Sequence, residues 1–188
     1  MINSQADPKS IQENPASHTM TLEEFLENDL EGYEYVQGAL VPISPTSMEH
    51  GEISSNVIRY LSLHVFKHQL GRSYTAGTTF HLGDRVVKPD VAFVSRERLP
   101  ENRRKGSPIP PDLAIEIVSP TDKQYDVTEK AFAYLKAGTR LVWIIEPVAK
   151  TVMVYRSETD FTLFQCEDTL SGEDVVKGFT CPVAQLFE

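Results

Sequence analysis

Two carboxylates in this chain stand where carboxylates are expensive. In the run Asp112–Ser119 (DLAIEIVS) both faces are largely apolar, and strand alternation puts Glu116 on one face with Ala114 and Val118. An unpaired ionised carboxylate buried there costs on the order of several kcal/mol, so it needs a cation, a donor network or a proton. Asp90 is similar: it follows Pro89, opens Val91–Val94 and shares a face with Ala92 and Val94. Either residue alone reads equally well as a strand-end carboxylate accepting backbone amides. Two of them entering one core point to a site for a hard divalent cation, Mg²⁺ or Mn²⁺, which takes one or two carboxylates plus waters and substrate phosphate. A metal so held polarises a phosphoryl oxygen and delivers water as hydroxide.

That chemistry also needs a positive charge for the phosphate. Lys130 lies at the border of the apolar face of the helix expected after Glu116, although it is also spaced for an i,i+4 pair with Asp126. Lys123 and Lys136 read as solvated. Lys88 competes with Lys130, because it lies two residues from Asp90 and shares its face if that strand is regular. His50 falls on one helical face with Ile53, Val57, Leu61 and His64, which aims it at the sheet or makes it a satisfied core histidine. His64 and His68 read as structural or solvated. Arg96, Arg98, Arg103, Arg104 and Lys105 make a basic loop that either grips phosphate or is solvated surface. No aromatic residue interleaves among them to stack on bases.

The elements that must carry these residues follow from pattern. Thr21 and Glu24 form a capping box before a short helix to about Asn28. Residues 33–44 read as a strand or hairpin around Gly38. Ile53, Val57, Leu61 and Val65, widened by Ile58 and Phe66, predict a helix over Met48–Leu70 that Gly71 ends. Residues 72–82 and 86–95 read as strands and 112–119 as a central one. A helix over Gln124–Ala137 and a buried strand over Leu141–Glu146 follow, then an antiparallel extension over 151–155 and 161–166. The order predicts an α/β fold of the α+β type, a mixed sheet flanked by helices. One domain is expected over residues 20–188, after a polar, flexible tail over residues 1–19.

Composition sets the frame. The 188 residues suffice for one core, and Cys166 and Cys181 are too few for a disulfide framework. No membrane span and no secretory start is visible, so a cytoplasmic protein is expected. The net charge of −9 disfavours a polyanionic partner, but residues 23–34 and 157–188 carry −6 each and residues 35–156 hold +4. No P-loop, dinucleotide fingerprint or G-x-S-x-G occurs.

An ordered set of motifs resembles the Uma-type family of restriction endonucleases, within the PD-(D/E)XK nuclease superfamily. It comprises YEYVQGALVPISP at 33–45, His50 opening a helix, PDVAFVS at 89–95 and LAIEIVSPTD at 113–122. Asp126 with Lys130, Tyr134 and Gly138, and WIIEP at 143–147, complete it over about residues 20–187. The resemblance implies a restriction-endonuclease-like fold with Asp90 and Glu116 as metal ligands, and it adds Glu34 at the family's acidic position. One departure stands out: the lysine expected two residues after the acid is Val118 here. Related families carry that lysine on the following helix, where Lys130 stands, and Val118 retains a backbone carbonyl for the metal.

The expected activity is divalent-metal-dependent hydrolysis of DNA phosphodiester bonds by Asp90, Glu116 and Lys130, with Glu34 and His50 as further members. The rival is a catalytically inactive nuclease fold that binds nucleic acid or protein. A metal-free carboxylate-pair hydrolase of sugars is a third reading. A homodimer is expected because duplex DNA has a near-dyad, and because Val152, Val154, Phe161, Leu163 and Phe164 exceed what a nuclease core needs.

Overall fold

The computed structural model describes residues 20–188 apart from residues 29 and 121, so the expected tail over residues 1–19 lies outside the described residues. In chain order the elements are α1 (Leu22–Asn28), β1 (Tyr33–Val36), β2 (Ala39–Pro42), α2 (Met48–Lys67), β3 (Gly71–Thr75), β4 (Phe80–His81), β5 (Arg85–Val87) and β6 (Val91–Ser95). They continue with β7 (Leu113–Ile117), α3 (Gln124–Ala137), β8 (Leu141–Glu146), β9 (Thr151–Tyr155), β10 (Phe161–Phe164), β11 (Thr169–Ser171) and β12 (Thr180–Pro182). The expected α+β class is what the chain adopts. A six-stranded sheet has the order β10-β9-β8-β7-β6-β3, with β7 and β8 parallel and the other neighbours antiparallel. A four-stranded antiparallel sheet has the order β2-β1-β5-β4, and β11 pairs with β12.

Parallel neighbours need a crossover, and α3 supplies it between β7 and β8. The two faces of the large sheet then bury different clusters. Val91, Phe93, Leu113, Ile115, Ile117, Trp143 and Ile145 pack against α2 and the C-terminal segment. Ala92, Val94, Ala114, Val142 and Ile144 pack against Ala131 and Tyr134 of α3. Ile53, Val57, Leu61 and Val65 of α2 are each at most 3% exposed, and burial of such a side chain contributes about 1.5–3 kcal/mol.

Several local expectations change. Phe66 does not widen the α2 stripe but is 84% exposed, because nine residues at 3.6 per turn place it roughly opposite Val57. The helix stops at Lys67 and Gly71 begins β3 instead, where a Cβ would meet the carbonyl oxygen of Val94 at 2.1 Å. The strand expected over 86–95 divides between the two sheets at Lys88-Pro89-Asp90, where proline offers no N–H to a ladder. The strand expected over 72–82 likewise divides into β3 and β4. Val152 and Val154 are core residues, not surplus apolar surface, while Phe161 and Leu163 on edge strand β10 are exposed. The C-terminal segment, for which no periodicity predicts a core role, buries Leu170, Val176, Val183 and Leu186. Among the described residues no helix is long and apolar enough to cross a membrane.

Candidate active site

The break between β5 and β6 brings the two sheets to one cavity. Asp90 sits at that break and Glu116 near the end of β7. The small sheet brings Glu34 on β1, and Glu34 Oε1 accepts the N–H of Lys88 at 2.7 Å. The first turn of α2, capped by Ser47, brings His50. On α3, Lys130 and Tyr134 are four residues apart and therefore share a face. Asp90, Glu116, Lys130, Glu34, His50 and Val118 all line one cavity of about 490 Å³.

The contacts form two linked groups. Lys130 Nζ lies 2.9 Å from Glu34 Oε1 and 3.1 Å from Glu116 Oε1, so its ammonium bridges two carboxylates rather than pairing with Asp126. Glu116 Oε1 also accepts the Tyr134 hydroxyl at 2.6 Å. In the second group, Asp90 Oδ2 accepts the N–H of Ile117 at 2.8 Å and lies 3.2 Å from His50 Nε2. The Ile117 N–H adjoins Glu116 in sequence, which ties the two groups together. Tyr134 is the member that sequence reasoning left as a motif residue without a role. Its four-residue offset from Lys130 was the available signal.

Desolvation is the largest single effect at Glu116, Lys130 and Tyr134, but not at His50. Burial pushes the Glu116 carboxyl up to about 7; Lys130 opposes the rise, and the negative charges of Asp90 and Glu34 add to it. Burial alone would lower the Lys130 ammonium, but Glu116 and Glu34 outweigh it and hold the group raised. The hydrogen bond to Asp90 raises His50 against its own desolvation. Burial and the neighbouring carboxylates hold the Tyr134 phenol well above its ordinary range, so it stays a donor.

Other candidates leave the site. Lys88 lines the cavity, yet its Nζ donates to the Leu30 carbonyl at 3.2 Å, since the strand on which it was to share a face with Asp90 is not regular. Arg98 is withdrawn from the basic loop: it binds Asp112 Oδ1 at 2.6 Å and the Pro110 carbonyl at 3.2 Å. Asp112 is fully buried and also accepts the N–H of Ser95 at 2.7 Å. It is a structural carboxylate at the opposite end of β7 from Glu116.

The donor set suits one class of ion. Among the described residues no three His, Cys, Asp or Glu side chains form a cage. Mg²⁺ rarely uses such a cage and binds through one or two carboxylates, completed by water and phosphate. Among the described residues, Asp90 and Glu116 each commit one oxygen to protein partners and keep a second without one. Two hard oxygens free in one cavity are the kind of donor set that a hard divalent cation takes.

A family model described as "Putative restriction endonuclease" matches residues 19–184. Among solved structures the chain is similar to a "putative nuclease belonging to DUF820" from Anabaena variabilis. The two share 26% identity and a TM-score of 0.80, over 89% of this chain and 97% of the other. No curated protein matches the chain.

Proposed function

This chain belongs to the Uma2 family of restriction-endonuclease-type proteins, and from that premise we propose that it is a divalent-metal-dependent endonuclease hydrolysing DNA phosphodiester bonds. The observation that carries the proposal is Lys130 Nζ at 3.1 Å from Glu116 in the cavity that Asp90 also lines. A helix-borne lysine thereby stands in for the one that Val118 does not supply. When bound, Mg²⁺ or Mn²⁺ would polarise a phosphoryl oxygen and supply hydroxide at neutral pH. Asp90 and Glu116 would hold the ion, together with the backbone carbonyl of Val118. Lys130 would offset charge building on the phosphate, with Glu34 holding the ammonium in place. His50 would orient Asp90 through its 3.2 Å contact.

One observation favours the rival, a catalytically silent binding module: Lys130 is already engaged by two carboxylates. Cleavage assays on plasmid DNA in Mg²⁺, Mn²⁺ and EDTA separate the two. The endonuclease requires metal-dependent nicking that Glu116→Gln and Lys130→Met each lower by about a hundredfold or more. Binding without turnover under every metal condition establishes the rival.

A further inference from the structure

One wall of the cavity has no part in the phosphodiester chemistry. It is the apolar face formed by Val36, Val41 and Pro42 of the β1–β2 hairpin and by Ile43 just after it, which lines the space beside the carboxylates. Val41 and Ile43 are 41% and 43% exposed. An apolar surface left open beside a site for a charged phosphodiester matches the face of a nucleobase, which is flat and weakly hydrated. In a duplex that face is hidden in the stack, and only base edges reach the grooves. An unpaired strand presents it directly.

Charge points the same way. The lining carboxylates Glu34, Asp90, Glu116, Asp122, Asp126 and Glu129 outnumber the lining cations Arg85, Lys88, Lys123 and Lys130. Arg85 is paired with Glu129, Lys130 with Glu34 and Glu116, and Lys88 with the Leu30 carbonyl. Duplex binding rests on neutralising phosphates along two backbones, and of these lining cations only Lys88 and Lys123 have no carboxylate partner among the described contacts. A cavity of about 490 Å³ also has the size of sites that enclose one small ligand. A neighbouring recess lined by His81, Pro110 and Phe132 shares Arg85 and Glu129 with it, leaving an extended strand room beyond that ion pair.

Resting on the nuclease reading, we propose that this protein takes its nucleic acid unpaired: one nucleotide enters the cavity with its base against Val41 and Ile43 while its phosphodiester meets Asp90, Glu116 and Lys130. The test is fluorescence anisotropy of a short labelled single strand and of the matching duplex in EDTA, with cleavage rates of both in Mg²⁺. The single strand should bind about tenfold more tightly and be cut faster by a similar factor. Val41→Ser with Ile43→Ser, both at exposed positions, should remove most of that preference without moving the melting temperature. Duplex bound or cut as well as single strand, or single-strand affinity unchanged in the double variant, overturns the inference while leaving the nuclease reading intact. Neither substrate bound in EDTA nor cut in Mg²⁺ or Mn²⁺ brings down the nuclease reading itself, and this inference with it.

Discussion

Glu116 is the residue on which the chemistry and the stability of this site meet. Its folded carboxyl titrates near 7 against an ordinary value of 4.5, so between those values the folded protein binds more protons than the unfolded chain. Stability must then fall as pH rises through that window, by up to about 3 kcal/mol. His50, also raised, chiefly by its hydrogen bond to Asp90, adds a loss in the same direction as pH rises beyond its ordinary 6.5. Metal-free urea melts from pH 4.5 to 8 should show the decline, and Glu116→Gln should flatten its lower part and be the more stable protein at pH 8. A Glu116→Gln protein that is less stable at pH 8 would mark the residue as a structural anchor instead. Tyr134 supplies a second test, because its hydroxyl is one of the groups that favour the ionised Glu116. Tyr134→Phe should cost about 1–2 kcal/mol and move the pH midpoint of that decline upward. A merely packed tyrosine would leave the midpoint where it is.

At the scale of elements, two carboxylates at opposite ends of β7, the buried Asp112 and the partly buried Glu116, meet different fates. Asp112, just before the strand, accepts the Ser95 amide on one oxygen and Arg98 on the other, with the Arg140 guanidinium 4.0 Å away. Glu116, four residues on, meets an ammonium already shared with Glu34 and a tyrosine hydroxyl. Donor supply is generous at the first end and short at the second, and the short end is where an added cation has most to offer. Asp112→Asn should therefore lower stability by about 2 kcal/mol, since it removes the charge that Arg98 pairs with and sets an NH2 against a donor where an oxygen accepted. Metal binding, followed by calorimetry, should be unchanged in that variant. A loss of metal affinity would mean that the two ends of β7 are coupled.

For the molecule as a whole, the dimer proposal now rests on a narrower base. Val152 and Val154 belong to the core, which leaves Phe161 and Leu163 exposed on the edge strand β10. An edge strand offers unpaired backbone groups as well as apolar side chains, and a second copy can cover both. Sedimentation equilibrium should report twice the chain mass at high concentration, and Leu163→Glu should return it to one. A strictly monomeric wild-type protein removes the claim.

What the sequence determined by itself was whatever depends on neighbours a few residues apart. Alternation put Glu116 inside the sheet, and the spacing of Thr21 and Glu24 produced the capping box, seen in reciprocal bonds of 2.8 and 3.2 Å. The ordered motifs also marked Asp90, Lys130, Glu34 and His50 before any distance was known. Which partner each charge takes was decided only by the tertiary structure. Lys130 is spaced for Asp126 on its own helix, yet it bridges Glu116 and a residue of the other sheet, Glu34. Lys88 turns to Leu30 because Pro89 divides a strand between two sheets, and the C-terminal segment joins the core without any periodicity to announce it. The physical reason is range. Side-chain direction along a helix or strand is set by local backbone geometry, whereas a buried charge settles on whichever opposite charge folding brings within about 3–4 Å, and that distance is a property of packing.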